Sequence, residues 1–110
     1  MAKNDSEAHA NILADERIQE LMAHLNQWQL QLIDGHPRLV KNYLCQNFAG
    51  AMLFANQIGN MAELEGHHPR LLIEFNRVKV SWWTHQPLGL TEFDFVMAVR
   101  CDELAERNAG

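Results

Sequence analysis

The segment Ala62–Arg70 reads AELEGHHPR and sets two histidines between a glycine and a proline. Histidine is the side chain whose ordinary titration falls near neutral pH, so it gives or takes a proton without a large push from its surroundings. Gly66 suits the left-handed residue that closes a helix. Pro69 forbids continuation and biases His68 towards extended geometry. His67 and His68 therefore leave a helix C-terminus, where the macrodipole favours a protonated ring. Glu63 lies one helical turn before His67, in position to orient an imidazole or hold its charged form. A third histidine, His85, ends the run VKVSWWTH. Such a set suits general acid–base chemistry.

Two other readings compete. Three histidines raise the possibility of a metal site. Adjacent residues in an extended segment point to opposite sides, however, so His67 and His68 are poorly placed to share one ion. Neither H-x-H nor H-E-x-x-H spacing is present. The plainer reading is a polar loop with one ring half buried. His9, His24 and His36 read as solvated surface. There is no nucleophile elbow, no phosphate-cradling glycine loop and no cysteine–histidine motif.

The elements that must position these residues follow from periodicity. ADERIQELMAHLNQ reads as a helix with Asp15 as its N-cap and an apolar stripe of Ile18, Leu21, Met22 and Leu25. WQLQLI alternates, with Trp28, Leu30 and Leu32 on one face, and predicts a half-buried strand. DGHP predicts a turn and RLVKNYLC a second strand, so the two pair as a hairpin. Asn47 can cap the longest helix, NFAGAMLFANQIGNMAELEG, whose apolar face is expected to run through Phe48, Ala51, Met52, Ala55, Ile58 and Ala62. LLIEF and VKVSWWTH predict two further strands joined at Asn76–Arg77. Val78, Val80, Trp82 and Thr84 then share one face, with Lys79, Ser81, Trp83 and His85 on the other. PLGL predicts a loop. TEFDFVMAVRCDELAERN predicts a last helix, capped by Thr91 with Asp94 as the acidic partner at N3. The expected fold is α+β, ordered αββαββα, a four-stranded antiparallel sheet with helices packed on one face.

Composition agrees with one domain. The chain has 110 residues, 47% of them hydrophobic and 21% charged, with a net charge of −5. No basic stripe points to nucleic acid, and no apolar run approaches a membrane span. Cys45 and Cys101 lack metal spacing and read as reduced, small apolar residues. The opening MAKNDSEAHAN has no apolar h-region. The expectations are a cytoplasmic protein, a flexible polar tail over 1–12 and a single domain over 13–110.

AELEGHHP, RVKVSWWTH, GLTEFDF and MA, in that order and spacing, resemble the pterin-4a-carbinolamine dehydratase family. Trp28, the turn at Gly35 and Phe48 fit it too, and the resemblance covers roughly Asp15 to Asn108. Arg70 and Leu71 depart from it, because several members have an acidic residue and an aromatic there. Phe93 stands where a polar residue is common.

The resemblance implies a substrate, a tetrahydropterin bearing a hydroxyl on C4a, and a hydro-lyase reaction giving quinonoid dihydropterin and water. It implies no metal and no redox cofactor. One of His67 and His85 would be the acid and the other the base, with His68 positioning the pterin. Glu63 would bind substrate donors or orient a histidine. Asp94 would fix His85 or simply cap its helix. Trp28 and Trp83 would flank the flat ring or pack in the core. Gly66 and Thr84 complete the implied substrate site. The resemblance also implies a homodimer or homotetramer, with strand pairing in the dimer. A rival role is a non-catalytic dimerisation partner of a transcription regulator.

Overall fold

The structure, a computed structural model, describes residues 11–109. The first ten residues of the expected tail, His9 among them, lie outside the described residues. Helix α1 (Asp15–Met22) leads into a hairpin of β1 (Gln29–Ile33) and β2 (His36–Leu44). Helix α2 (Phe48–Glu65) is followed by β3 (Arg70–Glu74) and β4 (Arg77–Trp82). A small hairpin of β5 (Thr84–His85) and β6 (Leu88–Gly89) precedes helix α3 (Glu92–Ala109). The four long strands form one antiparallel sheet in the order β1-β2-β4-β3. The fold is α+β, as expected.

Helices cover one face of this sheet. Leu39 and Tyr43 of β2 and Val78, Val80 and Trp82 of β4 are buried there. They pack with Phe54, Ala55 and Ile58 of α2 and Phe95, Ala98 and Cys101 of α3. The opposite face carries Gln31, Arg38, Arg70 and Lys79. Burial pushes the Cys101 thiol up to about 12, consistent with an inert apolar role. Cys45 is also free.

Several local expectations shift. Asp15 is the first helical residue and not the N-cap. Ala14 holds the cap position without a side-chain bond, while Asp15 and Glu16 place negative charge in the first turn. Helix α1 ends at Met22. His24 and Leu25 instead donate to Leu21 and Met22, three residues back, as the last turn tightens. The first hairpin turns on Asp34 and Gly35, both with positive φ (54° and 79°) as a two-residue turn requires. The second turns on Phe75–Asn76, one residue earlier than expected, with Glu74 opposite Arg77. On α2 the buried face runs through Phe54, while Phe48 and Met52 face outwards. PLGL is not all loop, because Leu88 and Gly89 pair with His85 and Thr84.

One cluster pins α3 to the sheet. The Asp102 carboxylate accepts from Trp28 Nε1 (3.2 Å), Lys41 Nζ (2.7 Å) and the Tyr43 hydroxyl (2.5 Å). Burial, and then the bond to Asp102, push the Tyr43 hydroxyl far above its usual range, so it stays a donor. Trp28 meets Tyr43 edge to face at 6.1 Å. With α3 fixed here, its first turn is held against the end of β4.

Candidate active site

Three chain ends converge at the site. The first is the C-terminus of α2. Gly66 adopts φ 70°, the left-handed conformation that glycine enters without steric cost. Both Gly66 and His67 donate their backbone N–H to the Ala62 carbonyl. This closure satisfies the orphan carbonyl and folds His67 back beneath the helix.

The second end is the break between β4 and β5. Trp82 is fully buried, Thr84 is 2% exposed, and His85 faces solvent. The third is the N-terminus of α3. Thr91 accepts from the Asp94 backbone N–H, and Asp94 Oδ2 accepts from the Thr91 backbone N–H at 2.9 Å. Asp94 thus takes the acidic part in capping that the sequence predicts.

These ends build a buried pair. His67 Nε2 lies 2.5 Å from Asp94 Oδ1, with His67 4% exposed and Asp94 fully buried. The other carboxylate oxygen, Oδ2, accepts the Thr84 hydroxyl at 2.8 Å. Asp94 is therefore held from both sides. The His67 ring stacks on Trp82, with centroids 5.5 Å apart and planes 11° apart, and Phe93 flanks it at 5.2 Å. A ring held by a carboxylate and stacked on an indole has one orientation, which proton transfer needs.

His68 points the other way, as adjacent residues in an extended segment must. It is exposed and its Nε2 meets Glu63 Oε1 at 2.8 Å. Glu63 thus partners His68 and not His67, because the chain turns at Gly66 before either ring emerges. Asp94 fixes His67 and not His85, because the packing of α3 against β4 points its carboxylate inwards. His85 lies 4.8 Å from Trp83, whose ring carries the Arg38 guanidinium at 3.8 Å on a neighbouring strand.

Trp28 is not brought to this group. It bonds Asp102, eight residues beyond Asp94 on α3, or roughly 12 Å along the helix. His24 and His36 are exposed surface residues. Trp82 is not legible in the sequence as a neighbour of His67, whereas Phe93 is already marked there as a departure from the family pattern. Among the described residues no group of three His, Cys, Asp or Glu side chains is arranged to hold a metal. No described helix is long and apolar enough to cross a membrane.

The comparison with known proteins turns on the same segments. Residues 11–104 match the family model described as pterin 4 alpha carbinolamine dehydratase. The chain belongs to that family.

A provisionally named pterin-4-alpha-carbinolamine dehydratase of Microcystis aeruginosa is 49% identical over 89 residues, covering 81% of this chain and 77% of that protein. One of Chlorobium luteolum, also provisionally named, is 46% identical over 92 residues, covering 84% and 81%. Among solved structures, a transcriptional coactivator/pterin dehydratase from Brucella melitensis superposes with a TM-score of 0.78 at 32% identity. The match covers 86% of this chain and 99% of that one. A pterin dehydratase-like protein identified as a RuBisCO assembly factor in the alpha-carboxysome shares the fold, with a TM-score of 0.62 at 23% identity over 74% and 93%.

Proposed function

We propose that this dehydratase-family chain removes water from a 4a-hydroxytetrahydropterin, giving the quinonoid dihydropterin. In the cytoplasm this would recycle the pterin left by an aromatic amino acid hydroxylase. The reaction asks for one proton delivered to the leaving C4a hydroxyl and one taken from N5. Groups that titrate near the working pH serve both. His67 takes the N5 proton, with the Asp94 carboxylate behind the ring to support the charge it gains. His85, open to solvent, protonates the departing hydroxyl. His68 and Glu63 form an exposed pair at the rim that positions the pterin, and Trp83 offers a flat surface beside His85.

The observation that carries this reading is the buried Asp94–His67 pair. Burying a carboxylate beside an imidazole costs desolvation that an apolar pair avoids, and capping α3 occupies only Oδ2, leaving Oδ1 for the ring. The rival reading is the non-catalytic partner role suggested by the coactivator description of the Brucella relative. A stopped-flow dehydratase assay on freshly made 4a-hydroxytetrahydropterin tests the proposal. The expected result is water loss well above the spontaneous rate. A rate equal to the blank favours the partner role.

We further expect a homodimer or homotetramer. Among the described residues β1 and β3 are the outer strands of the sheet, each with one edge unpaired. On α2, Leu53 and Leu64 are 56% and 85% exposed, apolar area suited to self-association. Light scattering at micromolar concentration should give a multiple of 12.7 kDa, and the bare chain mass would rule the oligomer out.

A further inference from the structure

The open face of the sheet carries a depression of about 60 Å³ that the proposed chemistry does not use. In register, Gln31 stands opposite Arg38, Val40 opposite Ser81, Ser81 opposite Arg70, and Leu72 opposite Lys79. Together with Ile33 these residues line it. Three of the chain's nine Lys and Arg residues meet here, in a protein of net charge −5. Among the described residues no Asp or Glu lines the depression.

Arg38 is the least explained of the three. Its guanidinium lies over the Trp83 ring, which covers one of its faces and leaves hydrogen bonding to its edge. Its Nε is buried and has no hydrogen-bond partner among the described residues. A buried donor without an acceptor costs free energy, so Arg38 is held beside the depression at a cost that packing alone does not explain. The volume suits one small group, since a water molecule needs roughly 10–15 Å³ measured this way.

The depression adjoins the histidines at two points. Trp83 contacts both Arg38 and His85. Arg70 lies two residues beyond His68, so along an extended chain both side chains fall on the same side. A ligand that touches His68 and His85 can therefore extend a substituent over Arg70 and Arg38.

Resting on the dehydratase reading, we propose that this depression binds an anionic group, a carboxylate or phosphate, carried on the side chain of the pterin substrate. A neutral hydroxylated side chain gains little from three cations. An anionic one forms charge-assisted bonds, with Arg presenting its fork to two oxygens at once. The cations also draw such substrates in from solution.

The test compares two stable dihydropterins, one with a neutral side chain and one with a phosphate ester, by calorimetry on the full chain. The anionic ligand should bind at least about tenfold more tightly at low salt, and the preference should shrink as salt rises. Arg70→Glu and Lys79→Glu should each abolish most of the preference, while Arg70→Lys should retain part of it. Inorganic phosphate should weaken binding of the anionic ligand.

Equal affinities for the two ligands would overturn the proposal, as would a preference that survives both charge reversals. Phosphate that binds without weakening the anionic pterin would mark a separate anion site and overturn it too. The ratio of kcat/KM for the corresponding carbinolamines should follow the binding ratio. If neither is dehydrated, the dehydratase reading fails while the binding preference is still measured.

Discussion

Asp94→Asn should lower kcat for carbinolamine dehydration by about 10³-fold while leaving the fold intact. Three donors converge on Asp94 Oδ2: the Thr84 hydroxyl, the Thr91 backbone N–H and, more loosely, the Thr91 hydroxyl. An amide at this position keeps its carbonyl oxygen towards them and turns its NH2 towards His67 Nε2. The ring must then accept at Nε2 and carry its proton on Nδ1. The change therefore reverses the tautomer of His67 and removes the negative charge behind it. The same substitution behind a serine-protease histidine costs about 10⁴-fold with the geometry preserved. The expected loss is smaller because the proposed mechanism gives a second histidine part of the work. His67→Ala should cost at least as much, but it also takes the partner from the buried Asp94 Oδ1, so loss of stability would confuse its reading. Asn is the cleaner probe. An unchanged circular dichroism spectrum together with a kcat within about threefold of the parent would remove His67 and Asp94 from the chemistry.

The sequence made the architecture legible because each element carries its own punctuation. Gly35 and Gly66 mark a hairpin and a helix end, and Asn47, whose side chain accepts from the Gly50 N–H, marks a helix start. What depended on three dimensions was less legible. The face of α2 was misjudged because Phe48 and Met52 are apolar yet turned outwards. A one-dimensional stripe cannot show which of two apolar edges meets the sheet. Type and spacing single out the histidines and the resemblance gives them roles, but their partners are only partly legible: Asp94 caps α3, as one of its two readings has it, and holds His67 rather than His85. Glu63 sits one turn from His67 in sequence, and only the left-handed residue at Gly66 sends His67 inwards and leaves Glu63 beside His68. The pairing of His67 with Asp94 spans 27 residues and depends on how α3 packs against β4. The resemblance leaves Trp28 either flanking the flat ring or packing in the core, and it packs in the core. Its bond to Asp102 shows an indole used to fix the helix that carries Asp94.

His85→Ala should lower kcat by about 10²-fold with little change in thermal stability. His85 is exposed and sits in the two-residue strand β5, where its neighbouring ring is Trp83. Truncation therefore opens no core cavity, and a loss of activity can be read as a loss of chemistry. The effect should fall on kcat more than on KM, because a proton donor to the leaving hydroxyl acts in the transition state and adds little to ground-state binding. His68→Ala is the contrast. His68 is also open to solvent but is paired with Glu63, and its loss should appear mainly in KM. The two variants thus separate proton transfer from positioning on the same exposed rim. Combining His85→Ala with Asp94→Asn sharpens the test. If both protons move in one rate-limiting step, the double variant should lose less than the product of the single losses, since each has already removed the concerted route. If His85→Ala instead raised KM and left kcat at the parent value, His85 would be a binding group. The acid would then have to be sought elsewhere, beginning with His68.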